Sequence, residues 1–212
     1  MQEEIHSPRG NTKKQKLFDV ASLQQGYFTA QQAVRAGFSY RMHSHYKQSG
    51  QWLEIDRGVF RLAQFPNSPD EDHVRWSLWS RDRKGEPQAV FSHDSALAIH
   101  GLSDIMPSKI HLTVPSGFRK RTPKGCVIHK GRVSPDEKEQ REGFFVTTPL
   151  RTIIDSAESS LSVDYLQQAI EEACDKGMFQ TIDIISAQMS EKAKGKITAL
   201  LKNVESVKGN DL

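Results

Sequence analysis

The sequence predicts an α+β protein, with an N-terminal winged helix-turn-helix followed by a mixed α/β C-terminal domain that has a small sheet and several helices. Three observations carry this. Capped, short helical patterns crowd residues 12–50. Two strand-like runs, WLEI and VFRL, follow at once and are joined through Asp56, Arg57 and Gly58. A polar, Pro-containing stretch, AQFPNSPDED at 63–72, then precedes a longer region in which strand-like runs alternate with helical patterns. A chain of 212 residues fits two compact units, one small and one larger. The expected divisions are a flexible tail at 1–11, the winged helix at 12–64, a C-terminal domain at 73–205 and a frayed tail at 206–212.

Taken in order, residues 1–11 carry Pro8 and Gly10 and no apolar period. From Thr12, TKKQKLFDVASLQQG reads as a first helix. Thr12 and Gln15 stand at capping-box spacing, Leu17, Val20, Ala21 and Leu23 form the apolar stripe, and Gly26 is the stop. Thr29 caps a second, short helix whose Ala33 and Val34 face inward, and Gly37 supplies the turn. Ser39 then caps a third helix, YRMHSHYKQS, which ends at Gly50. The hairpin after it is the wing.

Beyond the linker, Val74, Trp76, Leu78 and Trp79 mark an amphipathic segment. AVFS reads as a buried strand that leads into a helix capped by Ser92 and closed by Gly101. Strands are expected at 110–114, 126–129 and 144–147, and helices at 149–158, 163–176, 181–190 and 193–204.

Charge narrows the function. Residues 1–62 hold nine Lys and Arg against five Asp and Glu, an excess of four, whereas the remaining 150 residues net −1. The positive excess coincides with the helix-turn-helix, which is the footprint of a partner rich in phosphate. Cys126 and Cys174 are far apart with no metal-ligand spacing, so neither a disulfide framework nor a metal site is indicated, and a reducing cytoplasm fits. No run is apolar enough to span a membrane, and the opening residues lack the apolar core of a signal peptide.

On the third helix, i, i+3, i+4 spacing turns Met42, Tyr46 and part of His43 inward. The outward set is Tyr40, Arg41, Ser44, His45, Lys47 and Gln48, behind a helix N-terminus at Ser39. Such a face enters a major groove, with Arg and Gln suited to guanine and adenine edges and Lys47 to phosphate. Arg57 at the wing tip is placed for a phosphate or the minor groove, assisted by Arg61. Winged helices also serve as protein-docking modules, which is the competing reading.

Other constellations are less specific. His93, Asp94, Ser95 and His100 fall within one element, but helix capping and an apolar stripe account for most of them, and no Gly-x-Ser-x-Gly elbow follows. A metal-dependent nuclease would need converging carboxylates; Asp82 with Lys84, and Asp136 with Glu137 after Pro135, are the candidates. GFRKRTPKG at 117–125 packs four cations into nine residues, which suits phosphate or an acidic protein but equally a solvated turn.

Over residues 17–158 the chain resembles the AbiEi antitoxins of bacterial type IV toxin–antitoxin systems of the abortive-infection kind. The resemblance rests on Gly26 to Phe28, Thr29, Ala33, Gly37, Ser39, Gly50, Trp52, Leu53 and the run Arg57 to Leu62. It continues through Ser92-His93-Asp94-Ser95-Ala96, His100-Gly101-Leu102, the strand Ile110 to Val114 and Thr148-Pro149-Leu150-Arg151-Thr152. It implies a winged helix that binds inverted repeats in its own promoter and represses it, two copies on that DNA, and a C-terminal domain that carries the antitoxic activity. It also implies a nucleotidyltransferase-like toxin countered without a stable complex. No catalytic residue, cofactor or metal follows from it. A nuclease delivered by the winged helix and a stand-alone transcriptional regulator stay open as alternatives.

Overall fold

The computed structural model describes residues 12–208, with side chains through residue 201. The expected tail at 1–11 and the last four residues of the chain lie outside the described residues. The chain divides into two compact units, one running to Gln88 together with Glu142–Phe144, the other comprising Ala89–Arg141 and the chain from Phe145 onward. The sequence placed the break at 63–72. Helix α4 (Glu71–Trp79), expected beyond that linker, instead packs in the first unit, where Glu71 meets Arg61 at 3.2 Å.

The first unit holds helices α1 (Lys13–Ser22), α2 (Ala30–Arg35), α3 (Tyr40–Gln48) and α4, with strands β1 (Tyr27–Thr29), β2 (Trp52–Asp56) and β3 (Val59–Leu62) in the order β1-β3-β2, all antiparallel. Thr12 caps α1 by accepting from Gln15 N, yet Leu17 and Ala21 alone are fully buried on that helix. Leu23, assigned to the stripe, caps the helix in solvent at 74% exposure. Thr29 and Gln32 form a reciprocal capping box on α2. Val34, expected inward, is exposed, because six residues bury one narrow stripe and Ala33 occupies it. Strand β1 was not expected: three residues are too few for a readable period, and Tyr27↔Arg61 to Thr29↔Val59 pairing makes it.

The core of this unit is aromatic. Trp52 packs edge-on against Phe28 (4.8 Å) and Phe38 (5.2 Å), stacks on Tyr46 (4.8 Å), and meets Phe60 at 5.8 Å. Gly26 serves this packing: its φ is +83°, and a Cβ there would lie 2.5 Å from the Phe65 ring.

The second unit holds a mixed five-stranded sheet ordered β6-β5-β4-β8-β7, from β4 (Val90–Phe91), β5 (Ile110–Val114), β6 (Cys126–Lys130), β7 (Lys138–Gln140) and β8 (Phe145–Thr147). β4 runs antiparallel to β5 and parallel to β8, β5 is parallel to β6, and β7 is antiparallel to β8. β7 falls outside the strands expected from the sequence; it is an edge strand, where alternating Lys, Glu and Gln are tolerated. Helices α5 (His93–His100), α6 (Pro149–Glu158), α7 (Val163–Asp175), α8 (Thr181–Ser186) and α9 (Glu191–Lys208) complete the unit. Their facing stripes, including Leu97, Ile153, Ala157, Leu166, Ile170, Ile184 and Ile197, bury one contiguous core. α8 stops short of the expected residue 190, and α9 begins before and ends beyond the expected limits, through the first residues of the expected frayed tail. The predicted α+β class holds: a small winged helix and a larger mixed unit.

Candidate nucleic-acid interface

The interface starts from a turn. Ala36 ends α2, Gly37 takes φ +103°, and Phe38 drives into the core at 1% exposure, which swings the chain into α3. Ser39 occupies the N-cap with extended backbone but makes no side-chain cap bond. Its hydroxyl and the first backbone N–H groups of α3 are therefore open to an acceptor from outside, the usual condition for an anion at a helix start.

The inward face of α3 is His43 and Tyr46, both buried, with Met42 half-buried. His43 is more deeply placed than spacing suggested. Its Nε2 lies 3.3 Å from the Phe38 carbonyl, and its ring sits 5.3 Å from Trp52 and 5.8 Å from Phe60. Burial pushes its pKa below the ordinary imidazole value, so it is neutral and serves packing. Fixing His43 and Tyr46 on Trp52 fixes the rotation of the helix. Ser39, Tyr40, Arg41, Ser44, His45, Lys47 and Gln48 are consequently all exposed. Lys47 is not a free cation: its Nζ pairs with Glu54 on β2 at 2.7 Å, tying the helix to the wing.

The wing turns through Arg57 and Gly58, the latter at φ +67°. Asp56 Oδ1 accepts from Arg57 N at 2.6 Å, and the Arg57 carbonyl accepts from Arg81 Nη2 at 2.8 Å. Arg57 itself is exposed. Arg81, which sequence reasoning passed over, braces the turn from behind while its Nη1 donates to the Leu78 carbonyl at 2.7 Å. No local pattern announces this, since the contact joins residues 24 apart.

Arg61 is the one assigned DNA contact that the structure overturns. At 6% exposure it donates to the Pro66 carbonyl (2.9 Å) and to Asn67 Oδ1 (3.0 Å), pairs with Glu71 and lies 5.7 Å from the Tyr27 ring centroid. Strand alternation explains it: with Phe60 packed into the aromatic core, Arg61 falls on the opposite face, which α4 covers.

Most of the remaining candidates are held in local hydrogen bonds or ion pairs. Asp82 Oδ1 accepts from Lys84 N (2.7 Å) and Glu86 N (3.0 Å), closing its own turn. Asp136 lies exposed in a 3-10 turn at Pro135–Glu137, and Glu137 pairs with Arg151 at 2.6 Å and accepts from Ser134. In the second unit His100 Nε2 meets the Thr147 carbonyl at 2.7 Å, and Ser95 Oγ accepts from His111 N at 2.8 Å. His93, at φ +51°, stacks on His129 with centroids 3.5 Å apart, and His129 Nε2 meets His111 Nδ1 at 3.3 Å. Among the described residues no group of three or more His, Cys, Asp or Glu is placed to hold a metal ion. Burial raises the Cys126 thiol to about 11, so it is a poor nucleophile.

A three-helix unit closed by a β-hairpin, with one helix rotated so that its polar face is free, defines the N-terminal unit as a winged helix-turn-helix. Residues 15–63 match the family described as transcriptional regulator, AbiEi antitoxin, and this segment is a domain of that kind. The match runs from α1 to the end of the wing. The chain is also similar to the RV2827C protein from Mycobacterium tuberculosis, whose crystal structure aligns with a TM-score of 0.51 at 15% identity over 92% of this chain and 78% of that one; at this identity the likeness concerns fold. No curated protein matches the chain.

Proposed function

We propose that the protein is the antitoxin of a type IV toxin–antitoxin system and represses its own promoter by binding inverted repeats through the winged helix. The observation that carries the reading is the outward set of α3. Tyr40, Arg41, Ser44, His45 and Gln48 are all exposed, on a helix whose opposite face is locked to the wing by Trp52. That is a preorganised groove reader, in which Arg41 and Gln48 address base edges and Arg57 a phosphate or the minor groove. Inverted repeats place two copies on the duplex, with half-sites a whole number of helical turns apart. The partner is a nucleotidyltransferase-like toxin in the same cytoplasm, countered without a stable complex, and the second unit carries that activity. No helix among the described residues is long and apolar enough to cross a membrane.

The test is binding of the purified protein to its own upstream DNA across a salt series, beside an unrelated duplex and an Arg41→Ala variant. The expected preference for the upstream DNA is about a thousandfold, largely lost in the variant. Equal binding to both duplexes overturns the autorepressor reading.

A further inference from the structure

We infer that the second unit carries a nucleic-acid contact of its own, a sequence-independent surface for the phosphate backbone of duplex DNA along the β6 edge of its sheet. The first observation is charge. Residues 105–135 contain seven Lys and Arg (Lys109, Arg119, Lys120, Arg121, Lys124, Lys130, Arg132) and no Asp or Glu, so this stretch carries +7 while the rest of the chain nets −4. Lys109, Arg119, Arg121, Lys124, Lys130 and Arg132 are all exposed and none forms an ion pair among the described residues. Cations elsewhere on the chain, such as Lys47, Arg61, Arg141, Arg151 and Lys176, do find carboxylates.

The second observation is topology. β5 and β6 are parallel neighbours, and β6 is one of the two edge strands. The loop from Pro115 to Gly125 must therefore run back along the full length of the strand pair, about 16 Å for five residues. It carries Arg119, Lys120, Arg121 and Lys124 along that path. Lys109 stands at the starting end of the pair, Lys130 and Arg132 at the other. Arg119, Arg121 and Lys124, with Lys109, Lys130 and Arg132 at the two ends, thus place exposed cations beside this strand pair over the axial length of about five base pairs.

The chemistry of the stretch selects the partner. Met106 is the one large exposed hydrophobic residue in the stretch among the described residues and stands alone before Lys109; none falls between 109 and 132, and Phe118, in the middle of the loop, is buried at 4% exposure. A membrane surface would ask for an apolar face to insert, and single-stranded nucleic acid for exposed rings on which bases stack. A row of cations without either suits regularly spaced phosphates and carries no sequence information. The polyanion is duplex DNA, an inference that rests on DNA binding by the first unit. Lysines on an open edge also deter strand pairing, which is the competing account of this patch.

The experiment compares the full chain with an Arg119→Gln/Arg121→Gln/Lys124→Gln variant on an unrelated DNA duplex across a salt series. The slope of log affinity against log salt should fall by about 3, from three lost phosphate contacts at roughly 0.9 each, and affinity near 0.1 M salt by on the order of a hundredfold. An Arg119→Lys/Arg121→Lys variant keeps the charge and should keep the slope, which separates lost contact from altered folding. An unchanged slope overturns the inference in favour of edge protection or an acidic protein partner. Loss confined to an RNA duplex of the same length overturns it as well. Because the slope is read on unrelated DNA and the winged-helix test on operator preference, either reading can fail alone.

Discussion

Acidification from pH 7 to pH 5 should destabilise the second unit, and His93 sets the scale. The ring is buried at 8% exposure, stacked on His129, and flanked by His111 and Arg151, with no carboxylate acting on it. Burial first, then the neighbouring histidines and Arg151, depress its pKa from 6.5 to about 3. The depressed group is a base, so the folded unit holds it neutral while the unfolded chain protonates it below pH 6.5. Stability is complete above that value and is lost as pH falls toward about 3. At 1.36 kcal/mol per unit, the fall to pH 5 removes ~2 kcal/mol through this residue. His111 and His129, depressed first by burial, act in the same direction; the Asp94 carboxylate near both favours the charged ring and so works against the depression, whereas Lys109 adds to it at His111. The assay is urea denaturation at pH 7 and pH 5, followed by far-UV circular dichroism, for the wild type and His93→Asn. Asparagine tolerates the positive φ at this position. The variant should lose ~2 kcal/mol less between the two pH values. All three tryptophans lie in the first unit, so the fluorescence transition serves as an internal control that the substitution leaves unmoved. Identical pH dependence in the two proteins would refute the claim that His93 is held neutral by its surroundings.

Four further outcomes are expected. Trp52→Ala removes the ring on which Phe28, Phe38, His43 and Tyr46 pack, and should cost about 3–5 kcal/mol by denaturation while abolishing DNA binding at temperatures where the wild type binds. Arg61→Ala leaves Glu71 without its partner and should lower stability by about 2 kcal/mol with no change in the salt slope of DNA binding; Arg57→Ala should do the reverse, reducing the slope by about 1 and leaving the melting temperature in place. Gly26→Ala meets both a positive φ and the Phe65 ring and should cost about 2–4 kcal/mol, measured by urea unfolding of the tryptophan signal. Arg81→Ala releases the Arg57 carbonyl at the wing turn and should weaken binding to the upstream duplex, read by the same titration, through the turn it braces and not through a DNA contact of its own.

How much of this was legible in the sequence depended on the range of the interaction concerned. Thr12, Thr29 and Gly37 announce helix limits because caps and turns are decided within four residues. The helix at Pro149–Glu158 was readable to the residue, with Thr148 accepting from Arg151 N and a proline in the first turn. The exposed set on α3 follows from the same short-range logic. Arg61 did not, because its burial is imposed by α4 ten residues on, and an arginine beside a wing tip looks in sequence like one more phosphate contact. Strands β1 and β7 escaped for the related reason that three residues gain strand character only from partners elsewhere in the chain. The crossover of cations along β6 needed the sheet order: as a linear string, GFRKRTPKG is indistinguishable from a solvated turn.

The placement of Trp52 ties these observations together. It is the first residue of the wing, yet its ring contacts lie on β1, on the turn before α3 and on two successive turns of α3 itself. A residue at this position therefore sets two things at once, the angle of the hairpin and the rotation of the reading helix, and the Lys47–Glu54 pair repeats the link at the surface. Moving the wing without turning the helix would have to break ring contacts at 4.8 Å to Tyr46 and 5.3 Å to His43, which close packing resists. Arg41 and Arg57 are thus parts of one rigid reader, and their contributions to operator binding should be coupled: a double Arg41→Ala/Arg57→Ala variant that lost no more than the worse single variant would show one docking event, whereas simple addition would show two independent contacts.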